Sequence, residues 1–230
     1  MKVFVYDTET SGLPAFKDLS EAPHQPHICE LAALLIDDET MDVIGHVHHL
    51  VKQDGWDVGP EAFASHGITK TYSMENGVNE WTAIKSFHDL WKRADIRVGF
   101  NVSFDDRIMR IGFKRFGDGV DDGDAHWSQY SREDCDAIAD AYKMAPTLCV
   151  MRKVDKIVNL APSEKMVAKG MTAARGFTKQ PTLQEAYQHF FGESFDGAHT
   201  AVADTIATAR LFFHTQGKQF VYAHATGSEA

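Results

Sequence analysis

Apolar and polar positions divide the chain into short segments of two periods. Lys2–Tyr6 (KVFVY) is β-branched and aromatic, the pattern of a buried strand. Ile28–Asp37 (ICELAALLID) and Asp42–Val51 (DVIGHVHHLV) predict two more strands, with polar DDETM as their hairpin connection. Ile96–Phe100 predicts a fourth. Helical spacing appears at Pro60–His66 and at Asn79–Arg93, where Trp81, Ile84, Phe87, His88 and Trp91 recur every three or four residues. Ser103–Phe116, Thr182–Phe191 and Ala201–His214 predict further helices. Strands first, then strands alternating with helices, indicate an α/β protein with a mixed sheet covered by helices. Residues 161–181 have no clear period and read as a long, mobile loop. Gly217–Ala230 is small and polar and reads as a frayed tail, which leaves one domain over residues 1–215 and a tail over 216–230.

Composition sharpens this picture. The chain has 230 residues, 43% of them hydrophobic, which is enough for one substantial core. No run approaches the ~18 apolar residues of a membrane span, and MKVFVYDTET lacks the apolar stretch of a signal peptide. Three cysteines without CxxC spacing argue against a disulfide framework or a structural zinc site. A reduced, cytoplasmic protein with no membrane partner is expected.

The net charge of −10 is unevenly placed. Residues 118–140 hold eight acids against Arg132 alone. Residues 151–180 hold Arg152, Lys153, Lys156, Lys165, Lys169, Arg175 and Lys179 against Asp155 and Glu164, a local excess of 7 − 2 = +5.

Some of the acids suggest chemistry. Asp7 and Glu9 sit at the end of the first strand at positions i and i+2, so they share a face, about 6.6 Å apart along the chain. Two carboxylates on one face form a hard-oxygen site suited to Mg²⁺ or Mn²⁺. Alone, the pair reads first as two solvated acids near a turn, because DxE is a common triplet. Asp105, in GFNVSFDDRIM, falls in the first turn of a helix for which Ser103 is a candidate cap. Asp106 is rotated from it by about 100°, so only one of the two can face the site. His199 and Asp204, in GAHTAVADTIATARLFF, would lie about 140° apart on one helix. They can share a site if His199 stands on the loop before the helix.

The conjunction says more than its parts. DTETSGL (Asp7–Leu13), HGIT (His66–Thr69), NVSFD (Asn101–Asp105) and HTAVAD (His199–Asp204) occur in the order and approximate spacing of the DEDD exonuclease superfamily, in its histidine-bearing branch. The chain resembles that family over roughly residues 1–214. Members include the proofreading exonuclease subunit of bacterial DNA polymerase III and stand-alone exonucleases.

The resemblance implies a ribonuclease H-like fold, with a mixed five-stranded sheet flanked by helices. It implies a 3′→5′ exonuclease that uses two divalent metal ions, Mg²⁺ or Mn²⁺, on a nucleic acid with a free 3′ end. By it, Asp7, Glu9 and Asp204 hold the first ion, Asp7 bridges to the second, Asp105 supports that second ion, and His199 is the general base. Thr10 and Ser11 are candidate donors to the terminal nucleotide. Lys165, Lys169, Arg175 and Lys179 are candidates for holding upstream phosphates. DNA is the favoured substrate. RNA trimmers of the oligoribonuclease or ribonuclease T kind share the motifs, and a non-catalytic binding module on the same fold is the alternative from another class. A polymerase partner is not readable from the sequence.

Overall fold

The computed structural model describes residues 1–116 and 130–222. Five strands form one sheet: β1 (Lys2–Thr10), β2 (Ile28–Asp37), β3 (Val43–Leu50), β4 (Ile96–Gly99) and β5 (Thr147–Cys149), in the order β3-β2-β1-β4-β5. β1 pairs antiparallel with β2, and β2 with β3, while β4 runs parallel to both β1 and β5. The mixed five-stranded sheet is therefore as the family resemblance implies.

Alternation along β1 assigns its residues to two cores. Phe4 and Tyr6 face one layer, built on α3 (Glu80–Trp91), α4 (Ser103–Arg115) and α5 (Arg132–Met144). Val3 and Val5 face the other, built on α6 (Val150–Val158), α8 (Leu183–Phe191) and α9 (Ala201–His214). Helices α1 (Pro60–His66) and α2 (Lys70–Asn76) lie between β3 and α3 in sequence, and α1 approaches β1. Among the described residues no helix is long and apolar enough to cross a membrane.

Several expectations need correction. β1 runs on to Thr10 and not only to Tyr6, so the strand continues through Asp7 and Glu9. The structure adds α5, β5 and α6, which the apolar pattern does not reveal. α5 starts with a capping box between Ser131 and Asp134 and buries only Cys135, Ala139 and Tyr142, a thin apolar stripe among acids. α6 buries Val150, Val154 and Val158, whose helical spacing is masked by β-branched residues that favour strands. Residues 161–181 are not one structureless loop. They contain α7 (Glu164–Ala168), a 3₁₀ turn at Ala173–Arg175 and a bridge from Leu160 to Lys179. Ser103 does not cap α4. It is the first helical residue, and Val102 precedes it without a side-chain cap. The chain after Gly217 is anchored as far as Tyr222, since Phe220 is buried and Lys218 binds Asp38. Much of the acidic stretch, residues 118–129, lies outside the described residues.

Candidate active site

Beyond Val5 the edge of β1 facing β4 is open, because the β1–β4 register ends at Val5–Val98 and β4 itself at Gly99. An unpaired strand N–H needs another acceptor. Asp105 supplies it. Its Oδ1 accepts the Thr8 backbone N–H at 3.1 Å and the Thr8 hydroxyl at 2.7 Å, both buried. Asp105 reaches this edge because the chain turns sharply after β4 through Asn101, whose φ of 61° is left-handed, a conformation Asn tolerates. Asp105 is 2% exposed and so is fixed in place.

Asp106 turns away, as helix geometry requires. It accepts the Tyr6 hydroxyl at 2.5 Å and pairs with Arg97, which is 1% exposed. Arg97 also donates to the Tyr142 carbonyl at 2.6 Å and lies over the Tyr142 ring.

Asp7 and Glu9 continue the face of Val3 and Val5, which α9 covers. His199 stands on the loop before α9, with Thr200 as N-cap, while Asp204 is inside the helix. The His199 backbone N–H donates to Asp204 Oδ2 at 3.3 Å, and its φ of 67° is unusual for a non-glycine residue. Such strain is commonly kept at functional sites. Glu9, His199 and Asp204 bring ligand atoms within 4.8 Å of one another. Asp7 and Asp105 belong to the same cluster electrostatically: Asp105 raises the pKa of both Asp7 and Glu9, and Asp204 and Glu9 raise that of Asp7.

The protonation equilibria show how crowded these acids are. Burial, then Asp105, Asp204, Glu9 and Glu30, holds the Asp7 carboxyl well above the usual carboxylate range. Burial, then Asp204 and Glu30, pushes Glu9 up to about 8. Asp105 is pushed up to about 7, chiefly by burial, with the Thr8 hydrogen bond pulling it back. Asp204 rises to about 6 through burial, moderated by His199. Like charges gathered in partial burial are costly unless a cation offsets them. Asp204 Oδ1 is also buried without a hydrogen-bond partner. The candidate donors Asp7, Glu9, Asp105 and Asp204 are all carboxylates, so these residues fit a hard divalent cation such as Mg²⁺ or Mn²⁺, with the His199 imidazole beside them.

Beside Glu9 opens a cleft of about 560 Å³, lined by Thr10, Leu13, Ala62, Ser65, His66 and Phe104 among others. Its size is that of an ordinary ligand site. Phe104 both lines the cleft and packs on the core. His66 Nδ1 accepts the Ile68 N–H at 3.0 Å, which puts the ring proton of the neutral imidazole on Nε2. Burial lowers its pKa, so the ring is neutral near pH 7.

The substrate-binding candidates fare differently. Thr10 lines the cleft, its hydroxyl donating to Gly12 O at 2.8 Å. Ser11 does not line it. Its hydroxyl accepts the His27 N–H, its own N–H goes to the His27 carbonyl, and its carbonyl accepts from Gly59. Lys165 and Lys169 lie on and just after α7, and Arg175 ends the 3₁₀ turn, donating to Gly170 O at 3.2 Å. Lys179 is ion-paired with Glu185. None of these four lines the cleft.

Sequence reasoning overlooked Glu30. It lies opposite Glu9 in the β1–β2 register and contributes to the field on Asp7, Glu9 and Asp204. The available signal was a lone acid inside the apolar run from Ile28 to Ile36.

Comparison with known proteins agrees with this geometry. The fold is similar to that of exonuclease I: one solved structure has 21% sequence identity and a TM-score of 0.61, covering 95% of this chain and 41% of that one. E. coli exonuclease I in complex with a dT13 oligonucleotide matches at 20% identity and a TM-score of 0.59, over 90% of this chain and 39% of that one. A zinc-bound form of the E. coli exonuclease I complex with single-stranded DNA matches at 21% identity and a TM-score of 0.60, over 94% and 41%. The chain thus spans about two fifths of the length of these exonuclease I chains. No curated protein sequence matches it. The model of a family described as Exonuclease, the RNase T family, matches residues 4–212. That match runs from β1 into α9 and takes in all five site residues, so the chain belongs to the exonuclease family of the DEDD superfamily.

Proposed function

We propose that this protein is a metal-dependent 3′→5′ exonuclease that releases nucleoside monophosphates from the ends of nucleic-acid strands, with DNA preferred. One observation carries the reading: β1, α4 and the α9 turn bring Asp7, Glu9, Asp105, His199 and Asp204 to one place, beside a cleft with room for a terminal nucleotide.

Asp7, Glu9 and Asp204 would hold one divalent ion, and Asp7 with Asp105 a second. Two such ions neutralise the phosphodiester and acidify an attacking water. The chain's own residues do the rest. Thr8 clamps one Asp105 oxygen, which fixes where the other points. Asp204 accepts the His199 backbone N–H and holds the loop that carries the imidazole. His199 Nδ1 lies 3.4 Å from Ser65 Oγ, which leaves Nε2 free to take the proton from water. Imidazole is the side chain that most often serves as a general base. The cleft walls, from Leu13, Phe104 and Ala62, are apolar and suit a nucleobase, while Thr10 and His66 offer polar contacts.

Exonuclease I structures with bound oligonucleotides support a nucleic-acid substrate by analogy of fold. Parallel digestion of single-stranded DNA, duplex DNA and RNA of matched sequence tests the preference. Faster shortening of single-stranded DNA is expected. Faster trimming of RNA would move the assignment to the oligoribonuclease kind, and no shortening of any strand would leave only a binding module.

A further inference from the structure

Glu30 is the one charged residue between Ile28 and Ile36 of β2. Its partner across β1 is Glu9, so the two side chains project to the same face. A second acid beside a crowded carboxylate site is electrostatically costly, and the fold keeps it 9% exposed. Both its oxygens are engaged. Oε2 accepts the buried backbone N–H of Ala201 at 3.0 Å, and Oε1 lies 2.8 Å from His48 Nε2 on β3. Ala201 is the first residue of α9, so its N–H has no partner within the helix. The carboxylate also sits at the positive end of that helix. Thr205, one turn further on, donates its hydroxyl to the Ala32 carbonyl of the same strand at 3.3 Å. Ala201 stands two residues after His199 and three before Asp204.

We infer that Glu30, braced by His48, is a positioning residue that fixes the first turn of α9 against the sheet, and so sets Asp204 and His199 against Asp7 and Glu9. The inference rests on the metal-centre reading above. Its role is to hold the ligands, not to be one, because both oxygens are already committed. Partners of this kind, one step behind the ligands, typically alter metal affinity by about 10–100-fold when removed.

The test is a calorimetric Mn²⁺ titration without nucleic acid, run beside thermal unfolding, on wild type, Glu30→Met, Glu30→Gln and His48→Ala. Met matches the length of Glu but offers no oxygen, so Glu30→Met should weaken Mn²⁺ binding by about 10-fold or more. Glu30→Gln keeps an acceptor for the Ala201 N–H and should weaken it far less. His48→Ala, at an exposed position, should fall between the two, and it decides the matter with Glu30→Gln if Glu30→Met does not fold. Mn²⁺ affinity unchanged in Glu30→Met or His48→Ala, with only a lower Tm, would overturn the inference in favour of plain stabilisation. Glu30→Gln as weak as Glu30→Met would overturn it in favour of direct ligation or charge. A wild type that binds no Mn²⁺ at all would remove the metal centre itself, a distinguishable failure.

Discussion

The Thr8 hydroxyl donates to Asp105 Oδ1 at 2.7 Å, while the Thr8 backbone N–H donates to the same oxygen at 3.1 Å. Both bonds favour the ionised carboxylate, and they oppose the burial that pushes Asp105 up to about 7. Thr8→Val removes the hydroxyl and keeps the shape. Asp105 then holds its proton to higher pH and competes less well for a cation. The acidic limb of the kcat/KM profile should move to higher pH, and more Mg²⁺ should be needed at pH 6.5 than in wild type. An unchanged profile would show that this hydrogen bond does not tune the site.

Asp105 and Asp106 should fail in different ways. Asp105→Asn is expected to abolish cleavage and leave the fold intact. Asp106→Asn removes the anionic partner of Arg97, a cation with 1% exposure. Breaking a buried pair from one side typically costs about 3–5 kcal/mol. The Asp106 variant should therefore melt earlier yet keep substantial activity while folded. Thermal unfolding and single-turnover rates on both variants separate the cases. An inactive but fully stable Asp106 variant, beside an active Asp105 variant, would shift the second motif by one residue.

His199→Ala should lower turnover by about 10²–10⁴-fold, the usual loss with a general base. His199 also stands within ligand distance of Glu9 and Asp204, so the metal titration matters. Mn²⁺ affinity close to wild type is expected. A variant that loses the metal would make His199 a ligand, and one with normal turnover would leave it no role.

The metal-free protein should lose stability as pH rises. Glu9, raised from 4.5 to about 8, and Asp7, also raised, bind protons more tightly in the folded than in the unfolded chain. Folded protein therefore binds more protons up to about pH 8, and stability falls as they leave. His88, lowered by burial from 6.5 to about 4, works in the opposite sense below its ordinary value. The fall is thus best read between pH 6.5 and 8, as Tm in EDTA. Asp7→Asn should flatten the slope and raise Tm at pH 8. A wild-type Tm that climbs across that window would contradict the electrostatic account of the site.

The basic segment makes a graded prediction. Lys165, Lys169 and Arg175 are proposed phosphate contacts, whereas Lys179 has Glu185 as its partner. Each neutralised phosphate on a single strand adds about 0.7 to the slope of log K against log salt. The triple Ala variant should make that slope shallower by up to about 2, and Lys179→Ala should add little. Binding titrations on a long single strand measure it, and identical slopes for triple variant and wild type would make the segment a solvated surface.

The site was more legible in the sequence than the fold around it. Motif spacing picks out Asp7, Glu9, Asp105, His199 and Asp204 as candidates, and each lies on the element that local geometry predicts: a strand face, the first turn of a helix, or the loop before a cap and the helix after it. β2 and α9 were readable to the residue, since their apolar runs are long and bounded by polar residues. α5 and α6 were not. The buried stripe of α5 is three residues wide, and the valines of α6 favour strands by local preference, so tertiary packing decides both. Glu30 and Arg97 escaped for another reason. Their importance lies in partners 171 and 9 residues away, which no local pattern encodes.

The central claim is metal-dependent shortening from the 3′ end by this carboxylate site. The direct measurement is a time course on a single-stranded DNA labelled at its 5′ end, with Mg²⁺ or EDTA, for wild type and Asp7→Asn. Wild type with Mg²⁺ should give a ladder of labelled strands shortening one nucleotide at a time, and EDTA or Asp7→Asn should stop it. Immediate release of labelled mononucleotide, a single internal cut, or a ladder that persists in EDTA would contradict the account.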